Sequence, residues 1–184
     1  MRAIKIGVVS ILEGEAYKET RKMWRFFERK YNSRAIQNFP HPHLSFQGGI
    51  SEDLQIIDLN LQNLTSQISP FPVTIRGIDT FEKPERIIFL SVTRTKILQS
   101  IHKKIDDLLQ KYCSQTFRFC NPQDWTPNIT LAQGDILPNH FRKAKKDLEN
   151  YHPQHKLILH NICLVRWYDK NRRIRIHKKF ILEQ

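Results

Sequence analysis

The sequence predicts an α+β fold: two pseudo-symmetric lobes, each an antiparallel sheet with helices packed outside it, around a central cleft. Three observations lead there. A pattern recurs, because F-P-H-P-H-L-S-F-Q-G-G-I at 39–50 is echoed by T-P-N-I-T-L-A-Q-G-D-I at 126–136. Each copy sits in the same order of elements: strand, helix, motif strand, helix, strand. The two element types mix without a strict βαβ rhythm, which favours antiparallel pairing. The motif positions His43 and Asn128 are 128 − 43 = 85 residues apart, and a long internal period of this kind signals duplication. One bilobal domain over 1–184 is therefore expected, its duplicated halves spanning approximately 1–85 and 86–184.

The elements follow from local pattern. Residues 3–12, with Ile4, Ile6, Val8 and Val9, read as a buried strand. Met23, Trp24, Phe27 and Tyr31 fall at helical spacing among basic residues, a stripe that reads as core. In the first motif strand, successive side chains point to opposite faces. His43 and Ser45 then share one face while Leu44 and Phe46 enter the core. Ser51 is the expected N-cap of a helix carrying Leu54, Ile57, Leu61, Leu64 and Ile68, closed by Pro70 and Pro72. Strands are expected over 73–81 and 86–93, then a helix bearing Leu98, Ile101, Ile105, Leu108 and Tyr112. In the second motif strand Asn128 and Thr130 share a face, with Ile129 and Leu131 buried. Pro138 suits the first turn of a helix. Residues 156–168 read as one long strand, 169–171 as a hairpin turn, and 172–182 as a last strand. Its alternation puts Ile174, Ile176 and Phe180 on one side, and Arg173, Arg175, His177 and Lys179 on the other.

Composition narrows the function classes. A chain of 184 residues with 40% hydrophobic and 26% charged residues is long enough to bury a sizeable core. Thirty Lys and Arg against eighteen Asp and Glu give a formal charge of +12, which favours a polyanionic partner over a merely solvated surface. Three cysteines without C-x-x-C spacing form neither a disulfide framework nor a zinc cluster, and point to a reducing compartment. No apolar run approaches a membrane span, and the N-terminus lacks the pattern of a signal peptide. A cytoplasmic monomer that uses no metal, cofactor or membrane is expected.

The motif pairs carry the chemistry. A His beside a hydroxyl on one strand face offers a proton carrier that titrates near ~6.5 next to a hydrogen-bond donor. Two such pairs facing each other can bracket a phosphodiester, one base taking a proton and one acid returning it. H-L-S at 43–45 and P-N-I-T-L-A at 127–132 resemble the paired H-x-[ST] motifs of the 2H phosphoesterase superfamily, which includes the 2′-5′ RNA ligase-like proteins and RNA cyclic phosphodiesterases. The resemblance covers essentially the whole chain. It implies metal-independent chemistry on 2′,3′-cyclic phosphate or 2′-5′ linkages of RNA or nucleotides. It matches His43 to the first catalytic histidine, and Ser45 and Thr130 to the phosphate-binding hydroxyls. Asn128 stands at the position of the second histidine, by an engineered or a natural replacement. An amide carries no proton at usable pH, and losing a general acid or base costs about 10²–10⁴ in rate. Reduced cyclic phosphodiesterase activity is one expectation. A non-catalytic module that holds an RNA end or nucleotide in the same cleft is the other.

Weaker features stand beside these. His41 and His177 are candidates to supply the missing proton carrier. His41 with His43 makes an H-x-H pair that lacks an acidic or cysteine partner for a metal. Arg166, Arg172, Arg173, Arg175, His177 and Lys179 suit either an RNA backbone or a charge-protected edge strand. Trp125 and Trp167 can stack on bases, with core packing the preferred reading.

Overall fold

A computed structural model describes residues 3–168 and 173–183. The described elements are β1 (Ile4–Ile11), α1 (Gly14–Tyr31), β2 (His43–Ser51), α2 (Leu54–Thr65), β3 (Phe71–Phe81), β4 (Ile87–Val92), α3 (Lys96–Tyr112), β5 (Gln115–Thr116), β6 (Asn128–Gln133), α4 (Pro138–Asp147), β7 (Gln154–Leu159), β8 (Asn161–Tyr168) and β9 (Arg173–Ile181). Short 3-10 turns at Ala35–Asn38 and Arg118–Cys120 precede the two motif strands. The expected α+β class with two antiparallel sheets is what forms. One sheet has the order β5-β2-β1-β8-β9 and the other β6-β4-β3-β7.

The wiring of these sheets is crossed. β3 leaves the neighbourhood of β1 and β2 to pair with β4 and β7 in the second sheet. β8 and β9 return to the first sheet, where β8 pairs with β1. The helices cross as well, since α1 packs against β6 and α3 against β2. Each motif strand is thus supported by the helix that comes from the other half of the sequence. The large apolar core reflects this, running from Ile6, Val8, Trp24 and Leu44 through Ile75, Ile105, Ile129 and Leu131 without a break between lobes. A smaller cluster of Val9, Ile11, Phe39, Cys163 and Val165 lies apart from it.

Local chemistry accounts for the element ends. The α1 stripe of Ala16, Thr20, Met23, Trp24, Phe27 and Tyr31 is buried, and the helix stops at Asn32 in a left-handed conformation with φ 52°, which asparagine tolerates. The α2 cap is Asp53 and not Ser51: the Asp53 carboxylate accepts from the Gln55 and Ile56 amides. Ser51 is the last residue of β2, its hydroxyl bonded to the Asp53 backbone. Pro138 occupies the first turn of α4, where its missing N–H costs nothing. The α4 helix ends at Asp147, and Tyr151 lies beyond it.

Two sequence expectations need correction. The stretch 156–168 is not one strand: His160 interrupts it, and β7 and β8 lie in different sheets. Nothing at His160 breaks an extended chain, so the apolar run reads as continuous although it changes sheets. The second correction concerns β9. Leu164 pairs with Lys178 but Val165 with Ile176, leaving His177 as an extra residue in a bulge. Directly paired residues share a face, so Lys179 (opposite Cys163) joins Ile176 and Ile174, while Arg173, Arg175 and Phe180 lie on the other. The expected hairpin turn at 169–171 and Arg172 lie outside the described residues.

Candidate functional site

The motif strands β2 and β6 belong to different sheets and pack against one another, so His43, Ser45, Asn128 and Thr130 sit on adjoining strands. Leu44, Phe46, Ile129 and Leu131 are fully buried, as alternation requires. Ser45 is exposed, and His43, Asn128 and Thr130 are half-buried.

Both strands carry the same irregularity. On β2, Val8 pairs with Gln47 and Val9 with Ser45, leaving Phe46 as an extra residue. On β6, Ile88 pairs with Ala132 and Phe89 with Thr130, leaving Leu131 as the extra one. Each bulge follows the motif hydroxyl by one position. A bulge bends a strand and re-aims its side chains, so both pairs meet the same local geometry.

The hydrogen bonds repeat too. His43 Nδ1 lies 2.7 Å from the His41 carbonyl. A carbonyl only accepts, so Nδ1 carries the proton and Nε2 keeps its lone pair. Asn128 Nδ2 donates to the Thr126 carbonyl at 2.8 Å, again two residues upstream. The Asn128 amide thus reproduces the anchoring bond of the imidazole and leaves Oδ1, which accepts from Thr130 Oγ1 at 3.3 Å. The strands are braced across the halves by indoles. Trp24 Nε1 donates to the Thr130 carbonyl at 2.9 Å and Trp125 Nε1 to the Ser45 carbonyl at 3.1 Å. Trp125 is buried and stacks on His102 with 3.9 Å between ring centres. It belongs to the core, as sequence reasoning preferred, but its backbone contact was invisible there.

The electrostatics favour a neutral His43. Burial pushes its pKa down to about 4, against a smaller opposing effect of the bond to His41. Val9 and Ile11 oppose Ser45 and His43 across the ladder, and the Phe39 ring sits edge-on to His43 at 5.0 Å. His41, also beside Phe39, is lowered by burial first and then by the charges of Arg21 and Lys179. Those two cations, the second brought onto this face by the β9 bulge, were not singled out from sequence as neighbours of the motif. His177 is elsewhere, on β9 and three strands from β2, about 14 Å away at the usual strand spacing. It does not stand in for a second histidine. The Arg166, Arg173 and Arg175 row is likewise on the opposite face from Lys179.

Among the described residues no group of three His, Cys, Asp or Glu is placed to hold a metal ion. No helix among them is long and apolar enough to cross a membrane. Two surface hollows of about 390 and 450 Å³ are lined by other residues, around Asp135 and around Phe71.

Comparison with known proteins agrees with this architecture. No curated protein matches the sequence. Among solved structures, Escherichia coli LigT complexed with NADP+ superposes with a TM-score of 0.62 at 15% identity, covering 100% of both chains. The same protein complexed with 3′-AMP gives 0.61 at 15% identity, again over 100% of both chains. The protein TT0787 of Thermus thermophilus gives 0.56 at 15% identity over 97% of each chain. At such identities the likeness is one of fold. The model of the 2′-5′ RNA ligase superfamily matches residues 14–171. With most of its length matched in this way, the chain belongs to the 2′-5′ RNA ligase superfamily.

Proposed function

We propose that this protein is a metal-independent phosphodiesterase acting on 2′,3′-cyclic phosphate or 2′-5′ linkages of RNA or nucleotides, with one proton carrier where the family pattern has two. The observation that carries this reading is the matched pair of bulged strands, in which His43 alone presents a free ring nitrogen. Neutral His43 accepts a proton at Nε2 from water as the water oxygen attacks phosphorus. One ring P–O bond of the cyclic phosphate breaks, and the departing ribose oxygen takes its proton from solvent, since Asn128 has none to give. Ser45 and Thr130 donate to the non-bridging oxygens, and the Asn128 amide adds a further donor. The charges of Arg21 and Lys179, which reach His41, favour an anion on the same face. That LigT has been crystallised with nucleotides supports a nucleotide or RNA end as ligand.

Hydrolysis of a 2′,3′-cyclic mononucleotide tests the reading. Turnover is expected in the parent, absent in His43→Ala, and higher in Asn128→His. Equal rates in all three proteins would overturn it.

A second reading is favoured by one observation. The Asn128 amide is tied to the Thr126 carbonyl and Thr130 to Asn128, an arrangement suited to holding a phosphate without turnover. A binding module of this kind keeps nucleotide affinity in His43→Ala and loses it in Ser45→Ala, with no hydrolysis in any variant.

A further inference from the structure

One face of β1 links the motif site to a second surface. Along this strand Lys5, Gly7, Val9 and Ile11 alternate onto the same side, and across the ladder Ile11 faces His43, Val9 faces Ser45, and Gly7 faces Gly48. The neighbouring strand β8 adds Cys163, Val165 and Trp167 to this side. Six residue steps from Ile11 to Lys5 span about 20 Å. The face therefore extends well beyond the reach of a single nucleotide bound at Ser45.

At the far end stands an aromatic corner. Phe117 and Trp167 meet edge to face, with centroids 6.1 Å apart and planes at 85°. Both rings are half-buried, so each keeps an accessible part. The sheet beneath them has no side chains to hold the rings away. A Cβ on Gly48 would lie 2.4 Å from the Phe117 ring, and one on Gly7 3.1 Å from the Trp167 ring. The exposed Lys5 places its ammonium 5.2 Å from one ring centre and 5.1 Å from the other. Around it lie further aromatic and cationic groups: Phe119 is 75% exposed, and Arg166 and Arg175 flank Tyr168.

We propose that the Phe117–Trp167 corner is a base-stacking subsite, so that the substrate is a single-stranded RNA whose reacting end lies at His43 and Ser45. This rests on the reading of the motif site as a phosphodiester site. Base–aromatic stacking outweighs a solvent-exposed cation–π contact. An incoming base therefore displaces the Lys5 ammonium from the rings, and the released ammonium meets a flanking phosphate. Stacking accepts any base because every base has a π-face, so length is selected rather than sequence. A protein partner gains nothing from this combination of flat rings, lysine and a strand-long track to a pair of hydroxyls.

The test compares an eight-nucleotide single-stranded RNA ending in a 2′,3′-cyclic phosphate with a 2′,3′-cyclic mononucleotide, both at fixed salt. The parent is expected to bind the oligonucleotide at least tenfold more tightly. In Trp167→Ala this ratio falls about tenfold, and Trp167→Phe keeps most of it. Lys5→Ala, an exposed change that leaves the fold alone, reduces the slope of log affinity against log salt by about 0.7. A ratio near one in the parent overturns the subsite, as does an unchanged ratio in Trp167→Ala. So does equal competition by polyglutamate of matched charge. Mononucleotide hydrolysis that depends on His43 but comes without oligonucleotide preference defeats only the subsite. Preference that depends on Trp167 without any His43-dependent turnover defeats only the enzymatic reading.

Discussion

His43 sets the pH behaviour of the site. Its neutral form is the base, and with a pKa pushed down to about 4 that form prevails throughout the neutral range. Turnover is expected to rise between about pH 3 and 5 and then stay level; a midpoint near 6.5 in the pH–rate profile would contradict the buried setting. The same shift bears on stability. The folded protein resists protonating His43 between the unfolded value, ~6.5, and its folded one, so the stability present above ~6.5 is lost as pH falls towards 4. Denaturant titrations of the parent and His43→Asn should therefore diverge in this window by on the order of 2–3 kcal/mol, with the variant losing less. Asn128 gives the complementary test. Asn128→His restores a proton donor in a position whose anchoring bond to Thr126 already exists, and kcat is expected to rise by about 10²-fold or more in steady-state assays.

At the scale of elements, the bulged strands depend on what holds them from behind. Trp125→Phe keeps the ring but removes the donor to the Ser45 carbonyl. A loss of about 1–2 kcal/mol is expected for the unpaired carbonyl in thermal melts. A fall in kcat/KM should accompany it, because Ser45 is then less firmly aimed. Gly49 is a different constraint. A Cβ there would lie 2.5 Å from the Gln115 carbonyl oxygen, which is backbone and cannot swing aside. Gly49→Ala is expected to cost about 2–4 kcal/mol, read as a lowered denaturation midpoint. These examples also mark where the sequence was legible. The alternation around Leu44, Phe46, Ile129 and Leu131 announced both motif strands and the side each side chain takes. The indole donors were hidden because Trp24 and Trp125 lie far in sequence from the carbonyls they meet. The bulge at His177 was hidden because one extra residue leaves the letters alternating while the faces exchange. His160 looked like any residue in an extended run, yet the chain changes sheets there.

Across the whole molecule, the duplication seen in the sequence does not yield two separable bodies. The helix of each half supports the motif strand of the other, and β3 and β8 each complete a sheet begun elsewhere. Equilibrium unfolding is expected to show a single transition by fluorescence and circular dichroism alike, which two independent lobes would split. Fragments covering 1–85 and 86–184 should be unfolded alone and recover structure when mixed.

The pairing of β1 with β8 has a temporal side. In the cell the first strand is made at once, but its neighbour in the sheet begins at Asn161. At about 5–20 residues per second, the ribosome needs roughly 8–30 s to deliver it. Throughout that interval an apolar β1 emerges with one edge unpaired, a template for stray association. The crossed wiring that builds the site thus ties its completion to the end of translation, and makes the nascent chain a natural client for chaperones.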